Sequence, residues 1–455
     1  MKIKISEVLD KIDGKLMKGT SEDYFSRLVQ NSLEIQEGDT FVAAKGERAD
    51  GHNYIKSAIE NGAKTCIITD DTIDLSPYDI TIVYVKEHRR ALQIIVKEMM
   101  KKMDIKKIAI TGSVGKTSTR EAVYNVVSQK YNTYETEKNY NGVIGLPLTA
   151  SKLEDEELAV FEMGMNGKGE IEILTDIVRP DIAVITNIGS SHIGILGSIE
   201  NILKAKMEIV KGIPKDGYLL LNADDKMLQK VIKEKEKYDC NVITFGIEEN
   251  ADYKVENINI IEEEGKSEIT VNGKVYELNS VAKHDIYNNL VAIVVGNLLK
   301  MTKEEIQKGL LKIEKEKRRL EKIEVSGMTI YDDTYNASYE SVKAAIETLD
   351  MLKVQGRMVY ILGDVFELND FAEEYHRKIG KVLAKAKIDL LITAGEYSKY
   401  INEEVLKEKN IENYHFKDNN EVIRNLNLLK KGDTVLIKAS NGMKFDEIVK
   451  SINGE

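Results

Sequence analysis

Cysteine is scarce in this chain, with only Cys66 and Cys240 among 455 residues. The two lie far apart and show neither the close spacing of a zinc site nor the repeated pattern of a disulfide framework. Disulfide-stapled domains and cysteine-ligated metal sites are therefore excluded. Unpaired thiols are typical of a reducing compartment, so we expect a cytoplasmic protein.

Long apolar runs and an excess of positive charge are also missing. No apolar run approaches the about 20 residues that a membrane-spanning helix needs. Residues 1–8 interleave charged and apolar side chains, unlike a secretory signal. The 65 Lys and Arg residues against 76 Asp and Glu residues give a net charge of -11, which disfavours general binding to nucleic acids or anionic membranes. We expect a monomer that binds no nucleic acid and does not insert into membranes.

The chain is too long for one hydrophobic core, and its patterning predicts an α/β protein of three domains. We expect a small N-terminal α/β domain over residues 1–100, a central P-loop ATPase-like domain over 101–312 and a Rossmann-like C-terminal domain over 313–455. Apolar runs alternate with amphipathic stretches in the central part, which favours a mostly parallel sheet with helices on both faces. Two alternating segments about Asn272-Gly273 predict a hairpin that extends this sheet in antiparallel fashion.

Individual elements follow from the same periodicity. Strands are predicted at residues 40–44, 64–69, 108–111, 158–161, 182–186, 218–221, 358–362, 390–393 and 435–438. Helices are predicted at residues 88–104, 120–129 and 302–318. The carboxyl ends of parallel strands share one edge of a sheet, where ligands bind. Glu162, Asn187 and Asn222 each follow a predicted strand, so we expect them at that edge.

The turn Thr111-Gly-Ser-Val-Gly-Lys-Thr-Ser118 joins a predicted strand to a predicted helix and indicates a nucleotide-phosphate cradle. Glycines let backbone N–H groups converge on phosphate oxygens, Lys116 adds a cation, and Thr117 offers a ligand for Mg²⁺. The residues expected around the phosphates are Thr111, Gly112, Ser113, Val114, Gly115, Lys116, Thr117 and Ser118. The C-terminal part has no second turn of this kind, so we expect one nucleotide per chain.

Phosphoryl chemistry needs divalent cations, so the sequence has to supply hard ligands. Glu162 ends an apolar strand and, together with the phosphate cradle, becomes the favoured metal ligand. His192 lies in a polar, glycine-bearing loop after the strand at 182–186, where function and a structural role are equally open. Lys206 lies on an amphipathic helix, and periodicity alone gives it no role beyond that of a solvent-facing charge.

Several motifs in one order resemble those of the Mur ligase family, and the resemblance spans nearly the whole chain. They are Gly38-Asp-Thr-Phe-Val-Ala-Ala-Lys-Gly-Glu-Arg-Ala-Asp-Gly-His52, Thr111-Gly-Ser-Val-Gly-Lys-Thr117, Asn139-Tyr-Asn-Gly-Val-Ile-Gly-Leu-Pro-Leu-Thr149, Phe161-Glu-Met-Gly-Met165, Thr186-Asn-Ile-Gly-Ser-Ser-His192, Asp332-Asp-Thr-Tyr-Asn-Ala-Ser338 and Leu362-Gly-Asp-Val-Phe-Glu-Leu368. The resemblance implies a three-domain enzyme of cell-wall precursor synthesis that uses ATP and Mg²⁺ to join a carboxylate to an amine through an acyl phosphate.

The resemblance also implies roles for single residues. Lys116 is expected to neutralise the migrating phosphoryl group, and Thr117 to hold one Mg²⁺. Glu162 and His192 match the family's ligands for a second Mg²⁺. Lys206 matches a lysine that carries a carbamate in similar proteins, which would make it a fourth metal-site residue. A carbamate converts an ammonium that repels Mg²⁺ into an anion that orients the metal site.

Residues of the later motifs complete the expected site. Asn288 falls where the family's adenine-contacting asparagine lies, and Arg319 and Asp333 match residues that the third domain lends to the ATP site, Arg319 as a catalytic group. Asn336 is expected on the amine-binding side. Four further residues are expected to contact the substrate: Ser32, Lys45, Gly46 and Asn141. The implied substrates are UDP-MurNAc-tripeptide and D-Ala-D-Ala, and the implied site is complete only when the third domain closes on it.

The sequence departs from the family pattern at Asn31 and Leu33, where Asp and Arg are usual, and at Asp285, Tyr339 and Asn441. These departures leave open a related ligase that joins a different acid and amine. A P-loop ATPase acting as a conformational switch or assembly factor is the alternative from another class, and would split ATP without an acceptor. A catalytically silent binding protein is the least favoured alternative, because Lys116, Glu162 and His192 are all present.

Overall fold

The computed structural model describes residues 1–46, 49–137, 139–261, 265–313, 317–352, 354 and 356–454. Its strands lie in three large sheets of five, nine and six strands and in one two-stranded sheet. None of the helices within these ranges is long and apolar enough to cross a membrane. The large sheets hold separate stretches of the chain, and the α/β architecture expected from the sequence is confirmed.

The first sheet has the order β2-β7-β6-β5-β4, parallel except for β2. The strands of this part are β1 Ile3–Lys4, β2 Lys15–Lys18, β3 Tyr24–Phe25, β4 Leu28–Val29, β5 Thr40–Ala43, β6 Thr65–Ile68 and β7 Thr81–Tyr84. The helices are α1 Ile5–Val8, α2 Ile55–Glu60 and α3 His88–Met100. The amphipathic α3 then leads into the central sheet.

The central sheet has the order β16-β15-β14-β13-β12-β11-β8-β10-β9. Its strands are β8 Lys106–Thr111, β9 Thr133–Glu135, β10 Leu158–Glu162, β11 Ile182–Ile185, β12 Tyr218–Asn222, β13 Asn241–Gly246, β14 Tyr253–Ile261, β15 Lys266–Val271 and β16 Lys274–Leu278. Its helices are α4 Lys116–Val127, α5 Gly145–Ala150, α6 Glu170–Val178, α7 Ile193–Leu196, α8 Ile199–Lys206, α9 Leu228–Ile232, α10 Lys283–Leu298 and α11 Lys303–Leu310. The strands from β9 to β14 pair in parallel, and β14, β15 and β16 pair antiparallel.

Alternate residues of β8 show why both faces of this sheet are covered. Ile108 and Ile110 pack into the apolar cluster that contains α4 and α10, whereas Ala109 belongs to the cluster on the other face, with α5, α6 and α8. Side chains of a strand alternate between faces, so a strand apolar at every position needs helices on both sides. This burial is that of an interior strand, and β8 lies between β11 and β10. The turn after Thr111 therefore lies at the carboxyl edge of the sheet.

Two predictions in this part are wrong in detail. The alternating segments about Asn272-Gly273 form three strands, because the long β14 precedes the predicted hairpin of β15 and β16. The helix predicted at 302–318 is α11, which begins after a capping box of Thr302 and Glu305 and ends at Leu310. Leu311 is the C-cap of this helix and begins a turn, after which Ile313 still packs against the apolar cluster that contains α4 and α10. Residues 314–316 of that prediction lie outside the described residues.

The third sheet has the order β17-β18-β22-β19-β20-β21, parallel except for the edge strand β17. Its strands are β17 Glu321–Val325, β18 Met328–Asp332, β19 Met358–Gly363, β20 Leu390–Ala394, β21 Glu412–Phe416 and β22 Thr434–Lys438. Its helices are α12 Tyr339–Asp350, α13 Ala372–Leu383, α14 Lys399–Glu408, α15 Asn419–Arg424 and α16 Asp446–Asn453. We propose domain boundaries at 100/101 and 312/313, since these positions fall between the strands of successive sheets.

The packing of α11 on α4 depends on Gly309. A methyl group at Gly309 would lie 2.4 Å from Val126 Cα and 2.7 Å from the Asn125 carbonyl oxygen, both of them backbone atoms of α4. We expect Gly309→Ala to lower the free energy of unfolding by about 1–3 kcal/mol, because this overpacking outweighs the better helix propensity of alanine. Thermal unfolding measures the effect. The neighbouring Lys308→Ala is the control, and equal stability of the two variants would contradict this packing.

Candidate active site

A cavity of about 1930 Å³ lies between the carboxyl edge of the central sheet and the third domain. Residues predicted from several separate motifs line it together. They are Ser113, Val114, Gly115, Lys116, Thr117, Ser118, Asn141, Glu162, His192, Asn288, Arg319, Asp333 and Asn336. The structure thus gathers most of the predicted site residues around one space, although they are spread over more than 200 positions of the chain.

The glycine-rich turn between β8 and α4, here called the P-loop (residues 112–117), depends on two of its glycines. A Cβ at Gly112 would lie 1.9 Å from Thr186 Oγ1, so only glycine fits against β11's end. Gly115 has a φ of 80°, a left-handed conformation that favours glycine. Lys116 then begins α4 and donates a hydrogen bond of 3.0 Å to the Gly112 carbonyl oxygen. The turn therefore places a lysine and the start of a helix at the cavity.

Lys206 lies beneath this turn at the end of α8, and its side chain is only 1% exposed. Its Nζ donates to the same Gly112 carbonyl oxygen at 2.8 Å. Burial and, secondarily, the nearby charge of Lys116 hold the pKa of Lys206 well below its ordinary value. Burial also lowers the pKa of Lys116. Lys206 is therefore a buried amine, not the solvent-facing charge that periodicity alone suggested.

Glu162 is the last residue of β10 and is almost fully buried. Its Oε1 accepts a hydrogen bond of 2.6 Å from Asn141 Nδ2, and its Oε2 lies 3.7 Å from the Arg120 guanidinium. Oε2 accepts no hydrogen bond from the described residues. A buried carboxylate oxygen without a hydrogen bond at the wall of a cavity fits a hard cation such as Mg²⁺.

His192 ends the loop of residues 187–192, which follows β11 and lies against the P-loop. Its backbone has a φ of 67°, and its Nδ1 lies 2.8 Å from Glu367 Oε2 of the third domain. The His192 ring beside it lowers the pKa of Glu367. Nearby, Gly194 donates its N–H to the Glu367 carbonyl oxygen at 3.1 Å, and Asn369 Nδ2 donates to the Gly194 carbonyl oxygen at 2.9 Å. The central and third domains are thus in direct contact beside the cavity.

The third domain contributes a second set of side chains. The Arg319 guanidinium lies 4.1 Å from the centroid of the Tyr335 ring, an arrangement that orients its planar face. Asp333 forms an ion pair of 2.7 Å with the buried Lys438, whose Nζ also donates to the Asn336 carbonyl oxygen at 2.9 Å. A buried lysine therefore fixes both the carboxylate and the backbone of this segment.

Asn288 lies on α10 across the cavity from these groups. Its Oδ1 accepts a hydrogen bond of 2.8 Å from Thr119 Oγ1, which ties it to the helix that follows the P-loop. A Cβ at Gly115 would be 3.3 Å from the same oxygen. The asparagine is therefore held close to the nucleotide cradle.

Six predicted site residues do not line the cavity. Thr111, Gly112 and Lys206 lie behind its wall, where Thr111 Oγ1 donates to the Met163 carbonyl oxygen at 2.8 Å. The other three are Ser32, Lys45 and Gly46 of the first domain. Ser32 is buried, and its carbonyl oxygen accepts a hydrogen bond of 2.8 Å from Asn61 Nδ2. Their substrate-binding role stays a prediction.

The expected metal site is not a preformed cluster. Within the described residues no group of three or more His, Cys, Asp or Glu side chains comes together in a metal-binding arrangement. Glu162 is paired with Asn141 and Arg120, and His192 with Glu367.

Sequence reasoning missed four side chains that shape the site: Arg120, Glu340, Glu367 and Lys438. Arg120 lies three positions after the P-loop, Glu340 two positions after the Asp332–Ser338 motif, Glu367 within the Leu362–Leu368 motif, and Lys438 three positions before Asn441. Each could have been singled out as a charge next to a motif. No local pattern indicates its partner, however, because each pairs with a residue distant in sequence.

Comparisons with known proteins place this geometry in a family. Models of the Mur ligase family match along the chain: the catalytic domain at residues 27–109, the middle domain at 110–296 and the glutamate ligase domain at 318–441. The UDP-N-acetylmuramoyl-tripeptide–D-alanyl-D-alanine ligase of Bacillus subtilis is 35% identical over 428 residues, which cover 93% of this chain and 92% of that protein.

Solved structures agree. MurF from Acinetobacter baumannii superposes with a TM-score of 0.88 at 27% identity, over 100% of this chain and 99% of that one. MurF from Thermotoga maritima, solved in complex with ADP, has a TM-score of 0.80 at 29% identity, over 94% of this chain and 97% of that one. The chain therefore belongs to the Mur ligase family, as an ATP-dependent ligase of the MurF type.

Proposed function

We propose that this ligase joins the carboxylate of UDP-MurNAc-tripeptide to the amine of D-Ala-D-Ala in peptidoglycan precursor synthesis, converting ATP to ADP and phosphate. The observation that carries the proposal is the convergence of P-loop, buried carboxylate and third-domain arginine on one cavity, in a chain whose relative of 35% identity bears that name. A carboxylate is a poor acyl donor, because oxide would have to leave, so it has to be activated first.

Activation passes the γ-phosphoryl group of ATP to a carboxylate oxygen, with cleavage of the bond between that group and ADP. The amine nitrogen then attacks the carbonyl carbon, and the tetrahedral intermediate expels phosphate as the nitrogen loses a proton. In the transition state the charge is spread over the equatorial oxygens of the transferring group, where positioned cations stabilise it. Lys116 is placed to stabilise that charge from the P-loop, and Arg319 from the third domain.

The donor set also suits magnesium. Thr117 would hold one ion beside the phosphates, and Glu162 and His192 would hold a second, with His192 exchanging its contact to Glu367 for the metal. Bound Mg²⁺ supplies charge neutralisation of the phosphate oxygens and of the departing phosphate. The Glu162 oxygen that accepts no hydrogen bond from the described residues supports this assignment.

Lys206 is proposed to carry a carbamate. An unprotonated amine attacks carbon dioxide, forming an N–C bond with loss of one proton, and burial lowers the pKa of Lys206 in the direction that favours this form. The product would be an anion beside Lys116, where the unmodified amine only shares an acceptor with it. The carbamate would give Lys206 a negative charge that orients the metal site.

The remaining roles divide between nucleotide and substrates. Asn288 and Asp333 are proposed to contact ATP, and Asn141 and Asn336 the reacting ends of acid and amine. Ser32, Lys45 and Gly46 would bind the distant nucleotide-sugar end of the acid.

We propose a monomeric, cytoplasmic enzyme without nucleic-acid partners. Cys66 and Cys240 are free thiols, which are typical of a reducing compartment and support this proposal.

Phosphate release tests the function directly. Purified protein is mixed with ATP and Mg²⁺, alone, with UDP-MurNAc-tripeptide, and with the tripeptide and D-Ala-D-Ala together, and the products are weighed by mass spectrometry. We expect sustained phosphate release only in the complete mixture, with a product mass equal to acid plus dipeptide minus water. Equal ATP splitting in all mixtures would instead support the ATPase switch. Amide formation only with other acids or amines would support a ligase of different specificity.

A further inference from the structure

Glu340 of the third domain binds the 187–192 loop of the central domain through Ser190. It lies in the first turn of α12, and its two carboxylate oxygens accept hydrogen bonds from Ser190: 2.7 Å from the backbone N and 2.9 Å from Oγ. Ser190 is only 1% exposed. Hydrogen bonds to a carboxylate are among the stronger ones in proteins, and two from one residue fix its orientation.

Gly189 makes room for this carboxylate. A Cβ at Gly189 would lie 2.5 Å from Glu340 Cδ and 2.8 Å from its Oε1, and the three nearest atoms all belong to Glu340. The φ of Gly189 is not positive, so its backbone conformation does not itself require glycine. The absence of a side chain at Gly189 therefore allows Glu340 to approach the loop closely.

The opposite side of the same loop is bound to the P-loop. Gly189 donates its N–H to Ser113 Oγ at 2.8 Å, and Ser113 donates its N–H to the Asn187 carbonyl oxygen at 3.0 Å. His192 follows Ser190 by two positions. One short loop thus touches the phosphate cradle on one side and a carboxylate of the third domain on the other.

We propose that Glu340 is a positioning residue for phosphoryl transfer: by holding Ser190 when the third domain is docked, it sets the 187–192 loop against the P-loop. The inference goes beyond the proposed function, because it concerns how docking of the third domain reaches the phosphate cradle and does not depend on the acid or amine used. Glu340 acts through Ser190 and need not touch either substrate.

Kinetics of Glu340→Ala test the proposal. We expect kcat to fall about 10- to 100-fold, the effect of losing hydrogen bonds to a charged group, with the KM for ATP changed by less than about threefold. Glu340→Gln keeps an acceptor for the Ser190 N–H and should fall between wild type and Glu340→Ala. A structural role alone would lower the unfolding temperature and leave the kcat of folded protein unchanged. A kcat of Glu340→Ala within about twofold of wild type would overturn the proposal.

Gly189→Ala provides an independent test, because its methyl group occupies the place of the carboxylate. We expect it to lower kcat about as much as Glu340→Ala, and the double variant to be no worse than either single one, as for two changes that break one contact. If the losses of kcat in the two single variants multiplied in the double variant, the two residues would not share one contact. Glu374→Ala is the control, since this exposed glutamate of the same domain pairs only with Lys378 on its own helix among the described residues.

Hydrogen exchange separates this proposal from the proposed function. With ADP and Mg²⁺ bound, peptides covering the 187–192 loop should exchange faster in Glu340→Ala than in wild type or Glu374→Ala, whether or not any amide product forms. Unchanged exchange in that loop would count against the contact itself. If the wild-type protein makes no D-Ala-D-Ala product but the loop still exchanges faster in Glu340→Ala than in wild type, only the proposed function is overturned.

Discussion

Lys116→Ala is expected to lower ATP-dependent amide formation by about 10²- to 10³-fold, the cost of removing one preorganised group from a charged transition state. The lysine begins α4 at the cavity, and its ammonium is the P-loop's own cation. The fold should survive, because alanine is a good first residue for a helix and because burial already disfavours the charge. The measurement is phosphate release at saturating substrates, together with thermal unfolding.

Lys168→Ala is the matched control for this variant. Lys168 is exposed in the loop after β10 and does not line the cavity. We expect its turnover to equal that of wild type. Wild-type turnover in Lys116→Ala would remove the P-loop lysine from the mechanism, and unfolding of the variant at room temperature would contradict its placement at the wall of the cavity.

Lys206→Ala is expected to lose nearly all activity and to regain part of it when formate or acetate is added. The substitution removes a side chain that is 1% exposed and leaves a space beside the Gly112 carbonyl oxygen. A short carboxylate can enter that space and replace the negative charge of a carbamate. We expect the free energy of unfolding of Lys206→Ala to fall by less than the loss of a buried ion pair would cost, because among the described residues this amine has no acidic partner.

Two variants sharpen this test. Lys206→Met fills the space without a nucleophilic nitrogen, so we expect it to be inactive with or without formate. Lys204→Ala, an exposed position on the same helix, should behave as wild type. Full activity of Lys206→Ala without added carboxylate would exclude Lys206 from the metal site, and rescue of Lys206→Met to the same extent would show that the added carboxylate acts elsewhere.

The sequence predicted best what is encoded locally. The P-loop and the strands around it were predicted because a run apolar at every position, a glycine turn and a helix occur in direct succession, and Ile108, Ala109 and Ile110 are buried as that pattern requires. The helix predicted at 302–318 ends at Leu310, because the chain turns at Leu311 although apolar and charged residues with helix propensity follow. Local propensity therefore located the elements better than it located their ends.

The candidate site was predictable as a set of motifs but not as a geometry. Glu162 was predicted from its place at the end of a strand beside the P-loop, and Lys206 from the family resemblance, but their hydrogen bonds with Asn141 and with the Gly112 carbonyl oxygen were not predicted. Glu340 lies next to the Asp332–Ser338 motif, but nothing in the sequence indicates its partner Ser190, which is 150 positions away. Pairings of this kind depend on how two domains meet, which no periodicity in either segment encodes.

The carbonyl oxygen of Gly112 serves two amines at once, at 3.0 Å from Lys116 and 2.8 Å from Lys206. When a phosphate enters the cradle, Lys116 can turn toward it while Lys206 keeps the oxygen satisfied. Exchange of partners by Lys116 therefore leaves the backbone acceptor paired and needs no rearrangement of the turn.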